Sequence, residues 1–326
     1  MVAEAAGVSP STVSRILNGT ARVSEDKKAA VEAAIERLGF SPNPVARGLA
    51  GGRTSSIGVL TQTVSSPFYG EALLGIEAAL RGEGYIPIFV SGHWSESEER
   101  KVLDELMARR VDGLIVLAGR LSDRALQPYF RRVPSVLLGR RSSGPHVLSL
   151  SFDNRSGAAV ATQHLIEMGH RRIAYIAGDT DHADALERLE GYREALIQAG
   201  LTPDPQLVAQ GDFTEAGGMM AVGRLLDGRV PFTAIACSND QTAIGAMLAL
   251  YRRNIRVPDD VSVIGFDDLQ PARFSIPPLT SVHLSVYEAG ETAARSILAM
   301  LCGAKPQHEL PPPRLAMRES TRRLSR

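Results

Sequence analysis

From Ser56 onward the chain alternates short apolar runs with amphipathic stretches, and this rhythm restricts its fold more than any other feature. The runs are "SIGVLT" (56–61), "IPIFVS" (86–91), "GLIVLA" (113–118) and "PSVLLG" (134–139). Short apolar runs separated by helical patterns mark parallel strands with crossover helices. The pattern restarts at "RRIAYIAG" (171–178), "QLVAQG" (206–211), "TAIACS" (233–238) and "VSVIGFDD" (261–268). At 326 residues the chain is also too long for one ordinary core. The expected body is therefore α/β: two doubly wound parallel-sheet subdomains with a cleft between them. "DNRSGAAVATQHLIEMG" (153–169) is expected to be a helix that bridges the halves. Asp153 or Asn154 caps it and Gly169 stops it.

The first 40 residues read as short helices only. Ser9 can cap a helix that opens with Pro10, where no needed hydrogen bond is lost, and Asn18-Gly19 ends it. Upstream, "VAEAAG" can be the end of another helix closing at Gly7, so the pair forms a helix-turn-helix. Val8, Val13, Ile16 and Leu17 can pack inward, with Pro10, Ser11, Ser14 and Arg15 on the outer face. Small hydroxyls and one Arg early in a helix suit a DNA major groove, where Arg can contact guanine in bidentate fashion. A third helix, "SEDKKAAVEAAIERLGF", has Ser24 as its cap and Val31, Ala34, Ile35 and Leu38 as its apolar stripe. The plain alternative is a helical appendage packed on the body. Charge does not decide between them, because the whole chain is formally neutral and the head only slightly basic. The Pro/Gly-rich linker "SPNPVARGLAGGRTS" follows, in which Asn43 and Pro44 can start a short helix.

Composition narrows the classes further. Cys237 and Cys302 are the only cysteines, with no metal-ligand spacing, which suits a reducing cytoplasm. No basic segment followed by an apolar stretch opens the chain, and no apolar run is long enough to span a membrane. There is no GxGxxG after a strand, no P-loop lysine, no nucleophile elbow and no metal cluster. An enzyme is not expected, nor a cofactor or a metal. His164, His170 and His283 are read as structural.

Ligands of open α/β sheets bind at the carboxyl ends of the strands. The loops there carry Phe68 and Tyr69, Arg188, Phe213, Asn239-Asp240 and Asp267-Asp268. This mixture suits a polyol: Asp accepts from two hydroxyls, Arg and Asn donate, and an aromatic ring covers the apolar sugar face. Each residue has a plainer role open to it. Asn239 and Asp240 can cap a helix, Asp267-Asp268 can be a turn, Arg188 can pair with Glu187 or Glu190, and the two phenylalanines can be core.

The stretch from "VAEAAGVSPSTVSRILNG" through "SPNPVARGLAGGRTSSIGVL" resembles the head and hinge of the lactose/galactose repressor family of bacterial transcription regulators. "RLEGYREAL", "SNDQTAIGAM", "VPDDVSVIGFDD" and "PPLTSVHLSVYEAGETAA" extend the resemblance over essentially the whole chain. It implies a helix-turn-helix head over 1–40, a hinge over 41–54 and a periplasmic-binding-protein-like effector domain over 55–326. The N-subdomain would take about 55–152 and 285–312, and the C-subdomain about 153–284 and 313–326. Family members have several residues ahead of the match to Val2-Ala3, so helix 1 is expected to be short here. By similarity Pro10, Ser11 and Arg15 face base edges, and Ser9, Thr12, Ser14 and Asn18 lie nearer phosphates. Asn43 caps the hinge helix, and Leu49, with Ala46 beside it, is the minor-groove wedge. Arg188, Asn239 and Asp267 become the polar effector ligands, with Phe213 and Phe68 as apolar walls and Tyr69 beside them. Asp153 is a further candidate. The resemblance implies a cytoplasmic homodimeric repressor on a pseudo-palindromic operator. It is nearest the galactose-type repressors, with a monosaccharide such as galactose as effector. The rival is a sugar-binding receptor of a transport system, which shares the two-subdomain fold.

Overall fold

The structure, a computed structural model, describes residues 1–18, 23–39, 53–306 and 308–324. The hinge residues Asn43, Ala46 and Leu49, and the side chain of Asn18, lie outside the described parts. The head comprises α1 (Val2–Ala5), α2 (Pro10–Asn18) and α3 (Glu25–Leu38). Val2, Val13, Val31 and Ala34 form its core, with Val8, Ile16, Leu17 and Ile35 packed against them. Ser9 Oγ accepts from the Thr12 amide at 3.2 Å, the expected cap of α2. Two expectations for α3 need correction. Ser24 stands at the N-cap position, but its side chain accepts no capping bond. Leu38 is 44% exposed, because the three-helix core is filled before the stripe reaches the last turn.

The first sheet holds β1 (Ser56–Thr61), β2 (Ile86–Ser91), β3 (Gly113–Leu117), β4 (Ser135–Leu138) and β5 (Val147–Leu150). All pair parallel in the order β2-β1-β3-β4-β5. Alternation of side chains gives the sheet two covered faces. Ile57, Val59, Ile115 and Val136 meet α4 (Pro67–Leu80) and α12 (Val286–Leu301). Leu60, Leu114, Val116 and Leu137 meet α5 (Glu96–Ala108) and α6 (Asp123–Phe130). The α4–α12 contact is close enough to require glycine. A Cβ on Gly75 would overlap the Tyr287 carbonyl, and one on Gly290 the Ala72 carbonyl.

The second sheet, β7-β6-β8-β9, is also parallel: β6 (Ile173–Ala177), β7 (Val208–Gln210), β8 (Ala234–Cys237) and β9 (Ser262–Ile264). Ile173, Tyr175 and Ala236 face α7 (Asn154–Glu167) and α8 (Ala183–Gln198), while Ile176, Ile235 and Val263 face α9 (Glu215–Asp227) and α10 (Asp240–Tyr251). The short α11 (Gln270–Phe274) leads to β10 (Ser281–His283), which pairs antiparallel with β11 (Arg314–Ala316). Chain therefore passes between the sheets after β5, after β10 and again before β11. The final segment lies along β9, with Val263 N donating to Ser320 O at 2.8 Å. No helix among the described residues is long and apolar enough to cross a membrane.

Candidate functional site

The outer face of α2 presents Ser9, Pro10, Ser11, Ser14 and Arg15 exposed, with Thr12 half-buried beside Ser9. Ser9 Oγ lies 2.8 Å from Ser11 Oγ and 2.9 Å from Thr12 Oγ1, so the first turn offers a compact group of hydroxyls. Val13 turns inward at 8% exposure, which fixes the face that the others present.

The second candidate site gathers at the carboxyl ends of both sheets. Its centre is Arg188, in the second turn of α8 with only 5% of its side chain exposed. Its Nε donates to Asn154 Oδ1 at 2.8 Å and its Nη1 to the Ser238 carbonyl at 2.5 Å. Phe266 lies under the guanidinium at 4.0 Å and Phe213 at 5.8 Å. Asp267 follows β9 at φ +105°, and its Oδ1 stands 3.3 Å from Arg188 Nη1. That oxygen is buried and, off the line of the N–H bonds, accepts no hydrogen bond among the described residues. Arg188 thus pairs with Asp267 rather than with Glu187 or Glu190 of its own helix.

Burial pushes the Asp267 carboxyl up to about 7, opposed by Arg188 and reinforced by the neighbouring Asp184. Asp184, one helical turn before Arg188, is also raised by burial, against the pull of Arg188. It accepts from Asn154 Nδ2 at 3.0 Å. Tyr69, at the start of α4 on the first sheet's side, has its hydroxyl held neutral by burial and by the charges of Asp184 and Asp267. The cleft therefore brings one guanidinium, two raised carboxylates and one phenol together from both subdomains.

Aromatic rings run across this group. Phe68 and Tyr69 are 5.4 Å apart, Tyr69 and Trp94 6.3 Å, Trp94 and His182 4.0 Å, and His182 and Phe213 5.8 Å. Phe213 has φ +66°, and its ring lies where any Cβ on Gly178 would stand. The lips are tied by exposed ion pairs: Arg120 to Asp179 at 3.3 Å and to Asp181 at 3.1 Å, and Arg141 to Glu187 at 3.8 Å. Burial lowers the His182 imidazole, so the ring against Trp94 is neutral near pH 7.

The remaining sequence candidates take definite places. Asn239 caps α10 through Oδ1, accepting from Thr242 N at 2.9 Å, and its Nδ2 donates to the Phe213 carbonyl at 3.0 Å. It holds the Phe213 loop and reaches the cleft through that loop. Asp153 is the exposed cap of α7, accepting from Ser156 N at 3.0 Å, whereas its buried neighbour Asn154 reaches Arg188. Asp240 is wholly buried and accepts from Ser281 Oγ and Leu269 N. Asp268 is held by Arg318 and His283. His164 bonds Thr321, and His170 bonds Thr233 and the Arg322 carbonyl.

Sequence reasoning missed Trp94, His182 and Asp184. Trp94 and His182 stand just past β2 and β6, where the carboxyl-end rule applies, and Asp184 precedes Arg188 by the four residues that share a helix face.

Residues 2–43 match the model of the bacterial regulatory proteins of the lacI family, and residues 162–321 match that of the periplasmic binding protein-like domain. The HTH-type transcriptional regulator GalR of Escherichia coli is 37% identical over 92% of this chain and 88% of its own length. The HTH-type transcriptional repressor PurR of Haemophilus influenzae is 36% identical over 91% of this chain and 89% of its own. The structure of the lac repressor dimer bound to operator and the anti-inducer ONPF superposes with TM-score 0.88 at 30% identity, covering 98% of both chains. With its helix-turn-helix head and two parallel-sheet subdomains, this chain belongs to the lacI family of bacterial regulatory proteins and is a DNA-binding transcription regulator.

Proposed function

We propose that the chain is a cytoplasmic homodimeric repressor whose operator affinity is set by a small carbohydrate, a monosaccharide such as galactose, bound between the two subdomains. In this reading residues 1–40 form the DNA-binding head, 41–54 the hinge and 55–326 the effector domain. Pro10, Ser11 and Arg15 read base edges. Ser9, Thr12, Ser14 and Asn18 hold phosphates, while Asn43, Ala46 and Leu49 belong to the hinge helix.

The observation that carries the effector reading is the convergence of Asp267, Arg188 and Tyr69 beneath aromatic rings. The orphaned Asp267 Oδ1 accepts from a sugar hydroxyl, and Phe213 and Trp94 cover the ring's apolar face. A ligand touching Tyr69 on one side and Asp267 on the other stabilises the closed cleft. That closure alters the spacing of the two hinges in the dimer, coupling the sites reciprocally by about 1–3 kcal/mol.

A thermal-shift panel of monosaccharides tests the effector class. A bound sugar at a hundredfold excess over its Kd stabilises the protein by about 2.7 kcal/mol. The reading predicts a selective shift with galactose or another monosaccharide that disappears in Asp267→Asn. A flat response to every sugar contradicts it.

A further inference from the structure

The charge balance of the cleft goes one step beyond its assignment as a carbohydrate site, and rests on that assignment. Arg188 is the one cation at its centre among the described residues, and Asp184 and Asp267 both depend on it. Two of its donors are already spent on Asn154 Oδ1 and the Ser238 carbonyl. The cations of the lips offer no reserve. Arg120 is matched by two carboxylates and Arg141 by Glu187. The centre and its rim therefore carry more carboxylates than guanidiniums. The orphaned oxygen pointing at this group is itself a carboxylate oxygen, an acceptor that needs a donor.

We propose that the cleft discriminates by charge, taking an uncharged polyol and rejecting the sugar acid or sugar phosphate of matching stereochemistry, with Asp184 as a specificity-determining residue. The mechanism is electrostatic. A hydroxyl can donate to Asp267 or Asp184 and satisfy it. A ligand carboxylate or phosphate brings acceptors and a like charge, where Arg188, Arg120, Arg140 and Arg141 each already face a carboxylate. In a partly desolvated cleft such a repulsion is not screened as it is on the surface. The effect expected is at least about tenfold in affinity, a floor well below the roughly thousandfold that one close like-charge contact would give at the dielectric typical near a protein surface.

Isothermal titration of the full chain at about pH 8, above the raised Asp267 carboxyl, with matched pairs tests this: galactose against galacturonate, glucose against glucuronate, and ribose against ribose 5-phosphate. The proposal predicts that the sugar that binds is a neutral member of a pair. Its anionic partner is weaker by about tenfold or more. Asp184→Asn narrows that ratio, and so does Glu187→Gln, at the half-exposed lip, where the fold is little at risk. An anionic sugar that binds as tightly as its neutral partner overturns the proposal and leaves the carbohydrate reading standing. A ratio unchanged in both variants also overturns it, because the exclusion is then one of shape. If no sugar of any charge binds, the carbohydrate reading falls and takes this proposal with it.

Discussion

Asp267 keeps only 3% of its side chain exposed, and burial raises its carboxyl to about 7 even with Arg188 3.3 Å away. An aspartate in an unfolded chain titrates near about 3.9. Between about pH 4 and about pH 7 the folded state therefore holds this proton more tightly than the unfolded state does. Stability falls as pH rises through that window, by up to about 4 kcal/mol from this group. Asp267→Asn removes the titration. Urea melts at about pH 5 and about pH 8 should show the ligand-free variant gaining on the parent at the higher pH. An equal difference at both values contradicts the assignment. In the proposed reading the same residue accepts ligand hydroxyls when ionised, so effector affinity should rise with pH over the range in which the ligand-free fold weakens. Such an opposition is expected where a buried group is kept for binding at a cost in stability.

Among the elements, the α4–α12 contact makes the sharpest demand on sequence. Gly75→Ala drives a methyl into the Tyr287 carbonyl, backbone that cannot move aside alone. It should cost about 1–3 kcal/mol, the range of overpacked cores. Gly70→Ala, on the same helix with no heavy atom near its Cβ position, should be neutral or slightly stabilising. A pair of thermal melts decides, and equal melting temperatures for the two variants contradict the packing argument.

All the strands of the two sheets except β5 are legible as short apolar runs, the form that parallel strands under helical layers take; β5, a four-residue edge strand that is only partly buried, gives no such run. The Asp153 cap and the Gly169 stop were legible as local chemistry. Three-residue β10 and β11 were not, since their pairing joins segments about thirty residues apart across α12. Trp94 and His182 escaped for the same reason. Each is ordinary in its own loop, and only the approach of the two subdomains stacks them at 4.0 Å. Asn239 looked like a ligand from its loop position, and its double role as cap and brace for Phe213 needed coordinates.

At the scale of the whole molecule, the chain crosses between subdomains three times, and the cleft is held by contacts from both sides. Trp94, the chain's one tryptophan, stands at that junction, so its emission reports the state of the lips. The lip ion pairs are partly exposed and contribute little each, which leaves closure open to bias by a ligand. A repressor works through this bias. A small-molecule effector must bind one arrangement of the subdomains better than the other, or it shifts nothing. The most direct measurement is fluorescence anisotropy of a labelled pseudo-palindromic duplex, selected by the protein itself from random sequences, titrated with and without saturating effector sugar. The account predicts that the sugar changes the operator Kd by about fivefold or more and that Asp267→Asn abolishes the change while leaving sugar-free operator binding in place. An operator Kd that stays the same at saturating sugar contradicts it.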